Sequence, residues 1–444
     1  MKQIVLTTVL SLSLAVPGMA QEKSWDMNDC MRYAVENSPK VRQQMYTNNT
    51  YKAEHQSAIA SFLPSISTSV DAQYRYGRSV DPKTNTYTNT STFNNGYGAA
   101  LSIPIFQGGV LINQWRLANV NRHMGRNDLR KQKDDLAINV MSAFVDVLYY
   151  QGTVKMSVEK LEESRRTLYK AQRQEELGLK GKADVAQLEA QVATDDYNLT
   201  HQQNLYNTAV MTLKNAMNFP TDSVLPIDTV VPVKEYAFFD ESVSDIYERA
   251  LDNDPTALQA AFRYKAKRID YQMTKGKLLP RISFEAGIST SYFKDLKTDE
   301  ITTSFHDQFR NNRGEYLYFN LSFPLFDGLS RVTNVRRARN NMRIAYEQQT
   351  EVNRQLQMDI ERAILDREGY AKEAIQMEKK VKAETLSYMV TLRKFEEGLM
   401  SPLDLQTSAN TLLTSKADLL QKKLLYIIKC RQVDYYKGQP LISE

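Results

Sequence analysis

The sequence predicts a mainly helical protein with a small β part, built from two copies of one unit. Three observations lead there. Proline is absent from residue 105 to 219 and again from 325 to 401. Segments that alternate apolar and polar residues precede each of these stretches. The two halves of the chain also match one another position by position, and such self-similarity outranks any local signal.

At an offset of 216, Ala34, Asn37 and Pro39 meet Ala250, Asn253 and Pro255. Leu63-Pro64 and Ile66-Ser67 meet Leu279-Pro280 and Ile282-Ser283, and Tyr76 meets Tyr292. The offset then becomes 220: Pro104, Phe106 and Gly108 meet Pro324, Phe326 and Gly328. Arg173, Glu176, Gly178, Leu179 and Asp184 meet Arg393, Glu396, Gly398, Leu399 and Asp404. One register change, between Tyr76 and Pro104, suffices, and an insertion there implies a surface loop. The division expected is a first repeat over 21–220, a connector with Pro220, Pro226 and Pro232 over 221–245, a second repeat over 246–440, and a tail over 441–444.

Each copy opens with a helix. The first runs from Asp26 to Phe62, with a break at Ser38-Pro39, because the residue before proline resists helical geometry. Asp254-Pro255 repeats the break. A strict period of two follows. Ile66, Thr68, Val70, Ala72, Tyr74 and Tyr76 take one face, and Ser65, Ser67, Ser69, Asp71, Gln73 and Arg75 take the other. Strands are expected at about 65–76, 96–106, 281–293 and 315–326, with loops at Gly77 to Asn95 and Lys294 to Gly314. Roughly ten to twelve residues suit a tilted strand crossing a bilayer.

Then the period changes. Leu136, Val140, Ala143, Val147, Tyr150, Val154, Leu161 and Leu168 keep a coiled-coil-like spacing. Helices are expected at about 110–176 and 183–217, and at about 331–397 and 402–436. The first of these would be roughly 100 Å long at 1.5 Å per residue. Gly178-Leu179-Lys180-Gly181 breaks the first pair, and Gly398 to Pro402 breaks the second.

Composition bounds the setting. The chain has 444 residues, 42% hydrophobic and 25% charged, with a mean hydropathy of −0.50. A net charge of +5 over interspersed acids and bases gives no case for nucleic acid. Lys379-Lys380-Val381-Lys382 and Arg336-Arg337 read as solvated helix faces. Lys2, the apolar run Ile4 to Val16 and Pro17-Gly18-Met19-Ala20 read as a signal peptide over residues 1–20. Beyond it no apolar run reaches the 18 residues of a membrane helix, so any membrane crossing must use strands. Cys30 and Cys430 sit near the ends of the two halves, and an exported protein permits a disulfide between them.

Four strands per chain cannot close a barrel, which needs about eight, and open edges are not tolerated in lipid. The strands must be pooled among subunits, polar faces inward and apolar faces to lipid. A helix of roughly 100 Å exceeds a hydrocarbon core of about 30 Å and must project into the periplasm. The expected product is a conduit in the outer membrane.

The two-copy layout, the Pro-x-Phe-x-Gly lead into each long helix, and the turns Gly178-Leu179 to Asp184 and Gly398-Leu399 to Asp404 resemble the TolC-type outer-membrane efflux proteins. The resemblance covers the whole mature chain. It implies a homotrimer with a twelve-stranded barrel and a periplasmic α-barrel of long antiparallel helices. Its partners would be an inner-membrane pump, a periplasmic adaptor and outer-membrane lipid. It further implies that Gly178, Leu179, Gly398 and Leu399 form the tip where the adaptor docks, although glycines there also serve left-handed turn geometry by themselves. Asp404 matches the first acidic ring of the family's pore constriction, and Asp184 is its counterpart in the first copy; a helix N-terminal charge explains Asp184 equally. The second ring falls on Thr407, the gating arginine on Met400 and its tyrosine partner on Phe395. A salt-bridged latch of the family's kind is therefore not expected.

No enzyme is expected. His55, His123, His201 and His306 are scattered without metal-ligand spacing or a matching nucleophile, and no cofactor or metal motif is present. A periplasmic coiled-coil adaptor or structural protein would explain the helices but not four recurring strands. Within the conduit reading, small-molecule efflux and type I protein secretion both stay open.

Overall fold

A computed structural model describes residues 24–80, 85–228, 236, 241–297 and 303–442. The expected signal peptide lies outside them, as do parts of the connector and the last two residues of the tail.

The element order shows the repeat directly. Helices α1 (Met27–Asn37) and α2 (Pro39–Ala60) lead into strands β1 (Ser65–Val80) and β2 (Tyr87–Gln107), then α3 (Val110–Glu176) and α4 (Lys182–Met217). The second half gives α5 (Val243–Asn253), α6 (Pro255–Gly276), β3 (Arg281–Asp295), α7 (Phe305–Asn311), β4 (Gly314–Ser322), α8 (Ser330–Glu396) and α9 (Pro402–Tyr436). The paired helices α1 and α5 have 11 residues each, α2 and α6 have 22, and α3 and α8 have 67. Each opening helix is broken before its proline, at Ser38 and at Asp254. Asp254 caps the restart: its carboxylate accepts from the Thr256 and Ala257 amides at 2.9 Å, with Pro255 at the first helical position.

The four strands form one antiparallel sheet in the order β1-β2-β3-β4. Its extent corrects the expected strands. Most of Gly77 to Asn95 is ladder, not loop, with pairs running out to Val80↔Tyr87. Thr88, Thr90 and Thr92 look like turn residues by polarity, but β-branched side chains favour a pleated strand. The span 294–314, expected as a loop, holds the helix α7, whose Ser304 cap accepts from the Asp307 amide. β4 stops at Ser322, short of the expected 326, because its partner β3 begins at Arg281 straight after Pro280, which has no N–H to extend the ladder. Between β2 and β3 the register shifts between Pro104 and Phe106, a bulge at the donor-less proline.

The chain separates into two compact units. The first comprises Met1–Pro39, Lys133–Glu241 and Glu361–Glu444, and the second Lys40–Gln132 and Ser242–Ile360. The first unit has a core where α1, α3, α4 and α9 meet, with Phe144, Met31, Met141, Leu213 and Met217 all 2% exposed or less. The expected seam is there: Val140, Ala143, Val147 and Leu161 are buried. Trp25, Tyr33 and Phe219 pack ring to ring at 5.3 to 5.6 Å over its edge. Cys30 is buried in this core, where loss of solvation first and Asp26 and Asp29 second push its thiol up to about 12. No disulfide joins Cys30 to Cys430.

The end of the connector is pinned to the same unit by charge. Glu241 accepts from Arg367 at 3.2 Å and also pairs with Lys437. Burial alone would raise the Glu241 carboxyl, but Lys437 and Arg367 hold it below the usual glutamate range. A depressed folded value means this contribution is present at neutral pH and fades as pH falls through it.

In the second unit, Asn127 of α3 donates to the Pro255 carbonyl at 2.7 Å, and Gln259 of α6 donates to Asp128 at 2.8 Å. Where β2 turns into α3, Gly108 has φ +61 and lies against the backbone of Gly276 at the end of α6. A side chain on either glycine would strike the other's carbonyl, which gives the Gly of the Pro-x-Phe-x-Gly motif a packing reason in the first copy.

Phe144→Ala should lower the unfolding free energy by about 3–5 kcal/mol, whereas Val224→Ala, at a position 81% exposed, should change it by less than about 0.5 kcal/mol. Urea titration of the purified full chain followed by circular dichroism checks both.

Candidate channel tip and constriction

Both helical hairpins end in the first unit, and each turn is built the same way. The Leu179 amide donates back to the Gln174 carbonyl at 2.8 Å and the Gly178 amide to Glu175 at 2.8 Å. The Leu399 amide donates to Lys394 at 2.8 Å and the Gly398 amide to Phe395 at 3.0 Å. This double bond pattern closes a helix over a left-handed residue. Gly178 and Gly398 supply it with φ +76 and +77. A Cβ on either glycine would meet nothing within 4 Å, so backbone conformation alone selects glycine.

The residues after these glycines are unusual for the motif. In such turns the following residue often folds onto the helix, yet Leu179 is 75% exposed and Leu399 71%. Leu177 and Leu403 are exposed beside them. Exposed leucines at two neighbouring turns make an apolar patch that the turns do not need for themselves.

Behind the turns the two hairpins pack into a second small core. Ala171, Val185, Leu188, Tyr388, Phe395, Leu405, Ala409 and Leu412 are buried in it, with Met400 against its side. Phe395 is therefore a core residue, 4% exposed. The Lys180 ammonium stands 3.6 Å above the centre of its ring. Burial lowers the affinity of Lys180 for its proton, and Asp184 opposes that. The structure thus brings Lys180, Asp184 and Phe395 together across the hairpins by cation–π attraction and charge. Sequence reasoning passed over Lys180; its place directly after Gly178-Leu179 was the signal. Lys170 and Glu396 also pair across the hairpins at 2.6 Å, but both are well exposed and contribute little.

The two acids differ in their settings. Asp404 forms a capping box with Ser401: its carboxylate accepts from the Ser401 amide at 3.1 Å and hydroxyl at 2.7 Å, and its own amide donates to that hydroxyl. These bonds from Ser401 hold the Asp404 carboxyl below the usual aspartate range while the group stays open to solvent. Asp184 is half-buried in the first turn of α4, where the capping residue Gly181 offers no side chain.

Farther along the hairpins lies a buried polar layer. Ser164 donates to Asp195 at 2.5 Å and Gln191 donates to the same carboxylate at 2.8 Å. Loss of solvation lowers Lys160 beside them, with Asp195 and Glu163 opposing. Tyr388 bonds Glu163, and burial raises its phenol strongly. Among the described residues no cluster of His, Cys, Asp and Glu suited to a metal is present. His123 and His201 stack on Phe262 and Tyr197.

Gly178→Ala and Gly398→Ala should each cost roughly 1–2 kcal/mol, the price of a left-handed L-residue, whereas Gly181→Ala, at φ −81, should not. Hydrogen exchange of the Leu179 and Leu399 amides should speed up in the first two variants and stay unchanged in the third.

No curated protein sequence matches the chain. The fold of the channel CmeC from Campylobacter jejuni covers 93% of this chain and 85% of its own, with a TM-score of 0.81 at 14% identity. VceC from Vibrio cholerae covers 94% and 96%, with a TM-score of 0.79 at 13% identity. The open-state MtrE channel of Neisseria gonorrhoeae covers 93% and 88%, with a TM-score of 0.73 at 16% identity. A sequence profile described as outer membrane efflux protein matches residues 31–218 and 246–435, one match for each repeat. The chain therefore belongs to the outer membrane efflux protein family, and is an outer-membrane efflux channel with a large helical periplasmic part.

Proposed function

We propose that this channel is the outer-membrane member of a tripartite export system, carrying efflux substrates onward from an inner-membrane pump and a periplasmic adaptor. The observation that carries the reading is the four-stranded sheet with β1 and β4 as open edges. In lipid those edges must pair, and β4 of one copy pairing with β1 of the next makes a head-to-tail ring. Two copies would give about eight strands, an interior filled by side chains. Three give twelve and leave a lumen, which favours the homotrimer.

The exposed Leu179 and Leu399 support a docking role for the turns Gly178-Leu179 and Gly398-Leu399, with apolar side chains offered to an adaptor's helices. Asp404 supports a constriction: three carboxylates kept ionised around a narrow pore attract cations. Asp184 is the weaker candidate, since Lys180 lies beside it. Lys180 on Phe395 takes the place of the salt-bridged latch that Met400 and Phe395 cannot form.

Deletion of the gene should raise susceptibility to small toxic compounds and leave the secreted proteome intact. The reverse pattern would assign the channel to type I protein secretion. Restoring the gene with Leu179→Ser and Leu399→Ser together should return the protein to the membrane but not the resistance. Asp404→Ala should weaken block by multivalent cations in planar bilayers, and unchanged block would remove Asp404 from the constriction. Ser401→Ala should leave the block in place at neutral pH but make it fade at a higher pH than in the parent, because its bonds favour the ionised carboxylate.

A further inference from the structure

The two sheet hairpins differ at the end away from the long helices. β1 and β2 pair to their tips, but β4 has only 9 residues against the 15 of β3. The last pair on that side is Ser289↔Gly314. Beyond it β3 continues to Asp295 with no β4 residue opposite.

The helix α7 fills that gap. Asn312, just after it, donates to the Ser291 carbonyl at 2.7 Å. The Gln308 side chain accepts from the Phe293 amide at 2.9 Å and donates to the Phe293 carbonyl at 2.9 Å, as a strand would. Thr290 donates to the Phe309 carbonyl at 2.6 Å. Polar groups of the helix thus take over ladder bonds that β4 leaves unmade.

So pinned, α7 puts Phe305 and Phe309 on one particular face of the sheet. Phe309 meets Tyr97 at 5.3 Å, and Phe305 meets Tyr292 at 5.4 Å. Tyr97 pairs with Val70, and Tyr292 with Asn95, itself opposite Ala72. Val70 and Ala72 belong to the apolar alternation, which faces lipid in the conduit reading. The rings continue sideways through Phe93, 6.3 Å from Tyr292, to Tyr74 at 4.7 Å and on to Tyr76. Phe305 remains 47% exposed and Phe309 42%. Asp307 and Arg310 put charges on the same short helix, and His306, Gln308 and Asn311 are its other polar residues. Since α2, α3, α6 and α8 all join the sheet at its opposite end, this aromatic row marks the exterior end.

We propose that α7 is an interfacial anchor, seating Phe305 and Phe309 at the boundary between headgroups and acyl chains of the outer leaflet. The occupant is the bilayer itself. The face is continuous with the lipid-facing side of the sheet, and its composition, aromatic rings beside charges, is that of a membrane interface. Seven residues bind a membrane poorly alone, but the bonds to β3 supply the ordering in advance. The anchor sets the depth of the barrel on the side where β4 is too short to do so.

The inference rests on the reading that the apolar face of the sheet meets lipid, and the test separates the two. Full-length trimer carrying Phe309→Trp, or Leu317→Trp on β4 as a reference, is reconstituted in phosphatidylcholine vesicles. Leu317 is level with Ala286 and Leu101, four residues nearer the helices than Tyr97. The lipids are brominated either near the glycerol or deep in the chains, and emission is taken as the difference from the parent protein. Phe309→Trp should lose most intensity with shallow bromines, and Leu317→Trp should be quenched more by deep ones. Quenching of Leu317→Trp without quenching of Phe309→Trp overturns the anchor and leaves the barrel reading standing. If neither is quenched, the lipid-facing reading falls and the anchor with it. Should Leu317→Trp fail to assemble, Ile66→Trp at the same level of β1 serves as the reference.

Discussion

A bilayer core offers no hydrogen-bond partner to a peptide group, and most features of this chain follow from meeting that constraint. Its sheet pairs β1 through β4 internally but leaves two edge strands open. Such a sheet is incomplete by itself, so assembly is part of folding, and the subunit is best regarded as a fraction of a barrel. The same accounting explains details within the sheet. The bulge at Pro104 sits where a donor is missing, β4 ends opposite the first residue after Pro280, and Gln308 and Asn312 supply bonds where β4 has not yet begun.

The two repeats show which parts of the fold are under tight dimensional control. The long helices α3 and α8 have the same 67 residues. Insertion within such a helix would rotate every later side chain by about 100° per residue off its seam, given 3.6 residues per turn. The sheet hairpins are free of that rule at their outer ends, and there the copies diverge: strands of 21 and 9 residues, and, among the described residues, a helix in one copy alone.

At the hairpin turns, geometry and recognition draw on different residues. Gly178 and Gly398 are required by backbone conformation. Leu179 and Leu399 are not, and both stand exposed. The two hairpins are joined through Phe395 and Lys180, a neutral ring and a single charge, and by the buried cluster around them.

The sequence alone determined the duplication, the helix breaks before Pro39 and Pro255, the long proline-free helices and the positions of both hairpin turns. These are local or periodic properties: a proline lacks a donor, a left-handed turn takes glycine, and a seam repeats its apolar residues. The ends of the strands were not legible, because whether Thr88 to Thr92 is loop or ladder depends on a partner strand. Nor was α7, whose Gln308 and Asn312 acquire their purpose only beside an unpaired stretch of β3. At the tip, the sequence placed Asp184 and Asp404 at equal steps from their turns. A local difference separates them in part, since Ser401 caps Asp404 whereas Gly181 has no side chain to offer; the rest was decided by the tertiary structure, where Phe395, distant in the chain, holds Lys180 beside Asp184.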